Sequence, residues 1–111
     1  MDLETLAKRL DSLGNVTRLS VFRALVRAGR DGAPVGYLQR RLGVPGSTLS
    51  HHLRKLIEVG LVTQERQATT LICRADFEAM NETLGFLGNE CCRDLPLCAA
   101  GAEEDDRRDV A

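Results

Sequence analysis

The sequence predicts a mainly α-helical domain that carries one small β-hairpin. Leucines recur at helical spacing from Leu3 onward, a glycine-containing turn separates two short helical segments, and two β-branched-rich runs follow them. Aromatic residues are scarce, with three Phe, one Tyr and no Trp, so the core must be built mainly from aliphatic side chains. Because so small a domain buries a thin core, 111 residues favour one domain that is completed by dimerisation.

Local signals assign each element in order. Asp2, Ser47 and Asp76 are typical helix N-caps, whereas Gly29 and Gly60 are typical of helix ends. The predicted elements are helices at about 3–13, 17–29, 35–42, 47–59 and 77–95 (stopped by Pro96), a loop at 31–34, a turn at 43–46, and hairpin strands at 61–66 and 70–74. A helix-turn-helix followed by a hairpin wing is the winged helix-turn-helix layout, and the flanking helices are spare surfaces for a dimer.

Charge divides the chain into two parts. The first 74 residues contain 12 Lys and Arg against six Asp and Glu, and the other 37 contain 3 against 10. This balance favours a polyanion-binding domain at 1–98, followed by an acidic tail at 99–111. We expect the tail to be disordered. The alternative is that surface charge varies along the chain without a functional reason. The chain lacks an apolar run that could span a membrane and a secretory signal layout, so a cytoplasmic protein with reduced cysteines is expected.

The fourth predicted helix has two different faces. A helical wheel places Leu53, Leu56, Ile57 and His52 beside Leu49 on an inner stripe, where His52 is expected to be a hydrogen-bonded structural residue. The outward side chains are hydroxyls, an imidazole and cations that can bond base edges and phosphates of double-stranded DNA: Ser47, Thr48, Ser50, His51, Arg54 and Lys55. A polar outer face alone is typical of any solvated helix, but the turn before it and the hairpin after it favour DNA reading.

The run from Ser47 to Val62 resembles the recognition helix and wing start of the ArsR/SmtB metal-sensing repressors, and Asn15–Leu19 and Gly43–Pro45 are similar to two further segments of that family. The resemblance covers about residues 3–95. It implies a non-enzymatic homodimeric repressor that releases operator DNA when an ion binds. The wing tip departs from the Arg-Glu-Gly-Arg-like pattern of many relatives, which leaves Arg66, and also Arg74, as candidate phosphate contacts.

The family's sensing sites can be tested against the sequence one by one. His51 and His52 are the only histidines, which excludes a histidine-containing zinc site on the last helix, and the third helix has no thiol. Cys91, Cys92 and Cys98 remain, and their spacing resembles the cysteine cluster at the end of the last helix in an arsenic-sensing branch. Arsenic(III) is soft and favours thiolates, so we expect it, or antimony(III), to be the inducer, without an organic cofactor.

Other interpretations of the cysteines remain open. A disulfide between Cys92 and Cys98 would give a redox-responsive repressor, and three thiols could instead bind cadmium or lead or be structurally inert. A thiol enzyme or metallochaperone has no C-x-x-C motif to support it. Cys73 lies in the second hairpin strand and is interpreted as a small buried hydrophobe.

The first and last helices predict a dimer surface. Their apolar side chains recur at helical spacing and could face one another across two subunits, although part of this stripe could equally belong to the core of one subunit. The candidate residues are Leu3, Leu6, Leu10, Met80, Leu84 and Leu87.

Overall fold

The computed structural model describes residues 1–94, so Leu95, Pro96, Cys98 and the tail predicted at 99–111 lie outside the described residues. Its elements are α1 (Leu3–Leu13), α2 (Val16–Ala28), β1 (Ala33–Pro34), α3 (Val35–Leu42), α4 (Gly46–Glu58), β2 (Val62–Gln67), β3 (Thr70–Ala75) and α5 (Phe77–Asn89). The predicted winged helix-turn-helix fold is confirmed, with α3 and α4 as the helix-turn-helix and the β2–β3 hairpin as the wing.

Side-chain caps fix the beginnings of three helices. The carboxylate of Asp2 accepts a hydrogen bond from the Thr5 amide at 2.8 Å, and that of Asp76 accepts one from the Ala79 amide at 3.0 Å. Asn15 caps α2 in the same way, because its side-chain oxygen accepts a bond from the Arg18 amide. Each cap satisfies an amide that has no partner within its helix, and so determines where the helix begins.

The predicted cap of α4 and the predicted end of α5 were wrong. Helix α4 begins at Gly46, after Pro45 as N-cap without a side-chain cap bond, so Ser47 lies inside the helix and does not cap it. Helix α5 ends at Asn89 instead of Leu95, because the next amides bond three residues back, as in the bond from the Cys91 amide to the Gly88 carbonyl. Glycine in this last turn disfavours further helix, and Cys92 has a positive φ of 60°, which a helix cannot contain.

The segment predicted as a loop at 31–34 contains a short strand. In β1, Ala33 pairs with Cys73 and Pro34 with Ile72, so β3 is the central strand of an antiparallel sheet ordered β1-β3-β2. Gly32, at φ +76°, precedes it, and a Cβ at this position would collide with the Cys73 carbonyl oxygen. Only glycine fits there without strain, because it tolerates positive φ and leaves room for the neighbouring backbone.

The core lies between α2, α3, α4 and the wing. Leu49, Leu53 and Leu56 from α4 are buried there, as the helical wheel predicts, with fully buried leucines from other parts of the subunit: Leu25, Leu38 and Leu61. Ile57 was placed on the inner stripe, but it is 36% exposed because it lies at the edge of the helix, between the core and solvent. Within residues 1–94, no helix has the length and apolar character required to cross a membrane.

Candidate nucleic-acid interface and thiol pair

The outer face of α4, the recognition helix, carries the predicted DNA-contacting side chains. Ser47, Ser50, His51, Arg54 and Lys55 are all exposed, and Thr48 is half-buried. The buried leucines opposite them hold the helix against the core, so the polar face is presented on a fixed scaffold. Hydroxyls near the N-terminal end and cations further along provide donors for base edges and phosphates.

His52 is a structural residue that connects α4 to α2. It is buried, and its Nδ1 accepts a hydrogen bond from Arg18 Nε at 3.3 Å. Arg18 also donates through Nη1 to the Ser12 carbonyl at 3.1 Å, so one guanidinium joins α4 to the end of α1. Burial lowers the pKa of His52, and the charge of Arg18 and the neighbouring His51 lower it further. The neutral imidazole is therefore the form that this contact requires.

The wing presents one of its two predicted phosphate contacts more openly than the other. Arg66 is exposed near the hairpin turn, whereas Arg74 Nη1 is bonded to the Glu65 carboxylate on the adjacent strand at 2.7 Å. That bond holds the pKa of Glu65 below its usual range, and it also neutralises the charge of Arg74. Arg66 is consequently the better candidate for a phosphate contact on the wing.

Two adjoining grooves extend the candidate interface beyond the residues predicted from sequence. The first, of about 460 Å³, lies between α3 and the wing, where Tyr37, Arg40, Thr69 and Thr70 line it together with Arg66. No carboxylate is among the described residues that line this groove.

The second groove, of about 250 Å³, lies between α4 and the wing and is lined by Ser50, Arg54 and Gln64. Val35 and Leu71 line both grooves, so the two grooves adjoin along these apolar side chains, between the recognition helix and the wing. The paired arginines at 40 and 41, in the helix before the turn, were the sequence signal for this extension. A prediction limited to α4 and the wing does not include these arginines.

Cys91 and Cys92 lie directly after the end of α5. Their Sγ atoms are 3.4 Å apart, Cys91 is exposed, and Cys92 is half-buried. Arg93 fixes the turn, because its Nε donates to the Asn89 carbonyl at 2.7 Å. The structure therefore brings together two of the three predicted thiols, while Cys98 lies outside the described residues. Within residues 1–94, no group of three metal-binding side chains is formed.

Cys73 is separate from this thiol pair. It is fully buried in β3, as predicted, and Gln64 Nε2 donates to its Sγ at 3.4 Å. Burial raises the pKa of the Cys73 thiol, and the contact from Gln64 opposes that shift only in part. Because the thiolate is the reactive form, Cys73 is a core residue rather than a ligand.

Comparisons with known proteins give the family. A family described as a helix-turn-helix domain matches residues 13–65. Nodulation protein NolR of Rhizobium meliloti is 33% identical over 88 residues, which cover 79% of this chain and 70% of that protein. An ArsR-like transcriptional regulator from Rhodococcus sp. RHA1 superposes with a TM-score of 0.69 at 26% identity, over 96% of this chain and 89% of that chain. The chain belongs to the ArsR family.

This ArsR-family chain is accordingly a DNA-binding transcriptional regulator, and the relatives with which it aligns are regulators rather than enzymes. Its fold is also similar to that of the homodimeric winged helix-turn-helix DNA-binding domain Mb0332 from Mycobacterium bovis. That likeness has a TM-score of 0.63 at 23% identity over 79% of this chain and 82% of that chain.

The predicted dimer surface of the ArsR-family chain is partly exposed. Leu3, Leu84 and Leu87 are more than half exposed, and Leu10 is 40% exposed, which is unusual for large aliphatic side chains on two neighbouring helices. Leu6 is only 2% exposed, so it belongs to the interior of one subunit and does not form part of this surface. Met80 is half-buried against the core. Of the predicted dimer residues, the exposed ones are therefore Leu3, Leu10, Leu84 and Leu87.

Proposed function

We propose that this chain is an arsenic(III)-responsive repressor, which binds operator DNA as a homodimer and releases it when thiolates of Cys91, Cys92 and Cys98 bind arsenic(III). The observation that carries the proposal is the pair of neighbouring thiols, 3.4 Å apart between their sulfurs, at the end of α5. Antimony(III), which is chemically similar, is a second inducer on the same grounds.

The donor set suits a soft ligand. Thiolates select soft metals and metalloids, and the exposed Cys91 is open to an incoming ion from solvent. Cys98 follows Cys92 by six residues, so a third thiol comes from the same short segment with little loss of loop entropy. Two thiols that are already neighbours reduce the ordering cost further, which favours this segment over sites that must be assembled from separate elements.

The position of the thiols links them to DNA binding. They directly follow the helix that carries Leu84 and Leu87, and these exposed leucines are the proposed contacts with a second subunit. In a dimer of this kind the two recognition helices read half-sites about 34 Å apart, which is one turn of DNA. A change at the end of α5 would therefore alter the spacing of the two recognition helices.

A titration of the reduced protein with arsenite tests the sensing site. We expect one arsenic per subunit, followed by sulfur-to-arsenic charge-transfer absorption and by mass. Cys91→Ser, Cys92→Ser and Cys98→Ser should each lose or weaken binding. Cys73→Ser is the matched control, because Cys73 is buried away from the pair, and it should bind as the original chain does. Absence of arsenic binding by the original chain, with cadmium, lead or oxidation causing operator release instead, would contradict the proposal.

Operator release tests the coupling. We expect arsenite to weaken operator binding, and thermodynamic linkage then requires operator DNA to weaken arsenite binding by the same factor. The operator can be selected by the protein from random duplex DNA. Equal affinity for arsenite with and without the operator would show that the thiols bind arsenic without regulating DNA binding.

A further inference from the structure

A single arginine in α1 joins the recognition helix to α5. Arg9 Nε donates to the Val59 carbonyl at 2.8 Å, directly after the end of α4. Its Nη1 bonds the Glu82 carboxylate at 3.0 Å and the Thr83 hydroxyl oxygen at 3.1 Å, both on α5. The side chain of Arg9 is only 12% exposed, so its bonds to Val59 and Thr83 are partly shielded from water, whereas the Glu82 carboxylate is half exposed.

The structure around Arg9 is built to admit the guanidinium. Gly60 has a φ of +79°, and a Cβ at this position would lie 3.2 Å from Arg9 Nη2, so a larger residue would press on the side chain. Thr83 is 1% exposed, and its hydroxyl also donates to the Ala79 carbonyl at 2.7 Å. Thr83, one of two side-chain acceptors for Arg9 on α5, is therefore held in a fixed orientation, and the guanidinium is held by its bond to the end of α4.

The charge of Arg9 also suits its position. Carbonyls at a helix C-terminus carry partial negative charge, so a guanidinium bonded to Val59 stabilises the end of α4. The beginning of α5 is fixed independently, because the Asp76 amide donates to the Leu61 carbonyl at 2.9 Å. Arg9 adds a second connection further along α5, and this is the connection that a movement of the helix at Glu82 and Thr83 would stretch.

We infer that Arg9 is a positioning residue, which sets the orientation of the recognition helix according to the position of α5. A shift of α5 relative to α1 must either displace the guanidinium, and with it the end of α4, or break its bonds. This inference rests on the DNA-binding role of the chain and does not depend on arsenic as the inducer.

The test compares binding of specific and non-specific DNA. The probes are an operator selected from random duplex DNA and a duplex of equal length that lacks it. Arg9→Lys keeps the charge but cannot form the bonds to both helices. Thr83→Val removes the buried one of the two side-chain acceptors on α5 with little change of shape, and leaves the Glu82 carboxylate in place. Lys8→Gln is the matched control, because Lys8 is exposed on the same helix and, within residues 1–94, its ammonium pairs with Glu4 of that helix.

We expect Arg9→Lys and Thr83→Val each to weaken operator binding by roughly two- to thirtyfold, the range for residues that couple distant sites. Binding to non-specific DNA should be unchanged, because it depends on phosphate contacts that these variants leave intact. The double variant should lose no more affinity than the worse single variant, since both changes act on the same connection. Lys8→Gln should bind both DNAs as the original chain does.

Three results would overturn the inference. Operator affinity could be unaltered in both variants, which would show that the bonds do not orient α4. Specific and non-specific binding could fall together, as expected if Arg9 only stabilises the fold. The losses of the two single variants could multiply in the double variant, which would show that they act independently. Circular dichroism at the assay temperature confirms that each variant is folded, and Thr83→Val provides the comparison if Arg9→Lys is unstable.

Discussion

Helices α4 and α5 are equally long, at 13 residues each, but they use their apolar side chains differently. The apolar residues of α4 are buried in its own subunit, except for Ile57 at the edge, and its outer face is polar. On α5 only Ala79 and Thr83 are buried, and Leu84 and Leu87 face solvent. The exposed face of each helix thus indicates the chemistry of its partner, which is a polyanion for α4 and a second apolar surface for α5.

The largest effect is expected where α4 meets the core. Leu53→Ala should lower the free energy of unfolding by about 2–5 kcal/mol, because it removes a buried side chain and leaves a cavity. Urea denaturation followed by circular dichroism measures this change. Ile57→Ala, at the exposed edge of the same helix, is the control and should cost much less. Similar losses in both variants would show that α4 is not divided into a buried and an exposed face.

A charge on the outer face of α5 should break the proposed dimer without unfolding the subunit. Leu84→Glu should weaken dimerisation by at least about thirtyfold, as for a residue at the centre of an interface. Analytical ultracentrifugation over a range of concentrations measures the dissociation constant. Leu19→Glu is a matched control, because Leu19 is an exposed leucine on α2. A dimer of unchanged strength in Leu84→Glu would place the interface elsewhere.

Loss of a cation from the outer face of α4 should change how DNA binding depends on salt. Arg54→Ala should reduce the slope of log affinity against log salt by about one, if Arg54 neutralises one phosphate. Filter binding or fluorescence anisotropy at several salt concentrations gives the slope. Lys8→Ala on α1 should leave it unchanged. An unaltered slope with lower affinity for the operator alone would instead assign Arg54 to a base contact.

The smallest effect concerns the buried side of α4, through the titration of His52. Its pKa is lowered in the folded state, so the unfolded chain takes up a proton more readily. This contribution to stability is therefore complete above the unfolded pKa of about 6.5 and is lost as the pH falls through the lower folded value. Protonation also opposes the bond from Arg18. The urea concentration at the midpoint of unfolding should vary less between pH 5 and 8 in His52→Gln than in His51→Gln. Equal variation in the two variants would contradict the contribution of His52 to the pH dependence of stability.

The order of the elements was predictable from sequence because each has a local signal. The leucine periodicity, the N-cap residues Asp2 and Asp76 and the turn at 43–46 specify the helices without reference to the rest of the chain. The two-residue strand β1 was missed, because its pairing with β3 is a long-range contact. The end of α5 was misplaced because a proline such as Pro96 indicates only the last position that a helix can reach, whereas α5 ends earlier, at Asn89.

The functional residues were predictable to a similar extent. The polar face of α4 and the burial of Cys73 follow from helical and strand periodicity. The groove between α3 and the wing was missed because Arg40 and Arg66 are brought to the same groove only by the fold. The role of Arg9 was missed because its partners lie 50 to 74 residues away in sequence. The three-thiol site remains a prediction.

The burial of Cys73 has a practical consequence for experiments on this protein. A thiol-specific dye or spin label reacts with thiolates that solvent can reach, so it should modify Cys91 and leave Cys73 intact while the protein is folded. A probe can then be attached at the end of α5 without replacing the core cysteine. Labelling of Cys73 would in turn show that the sheet has opened. The rate of that reaction therefore measures unfolding of the original sequence without an added cysteine.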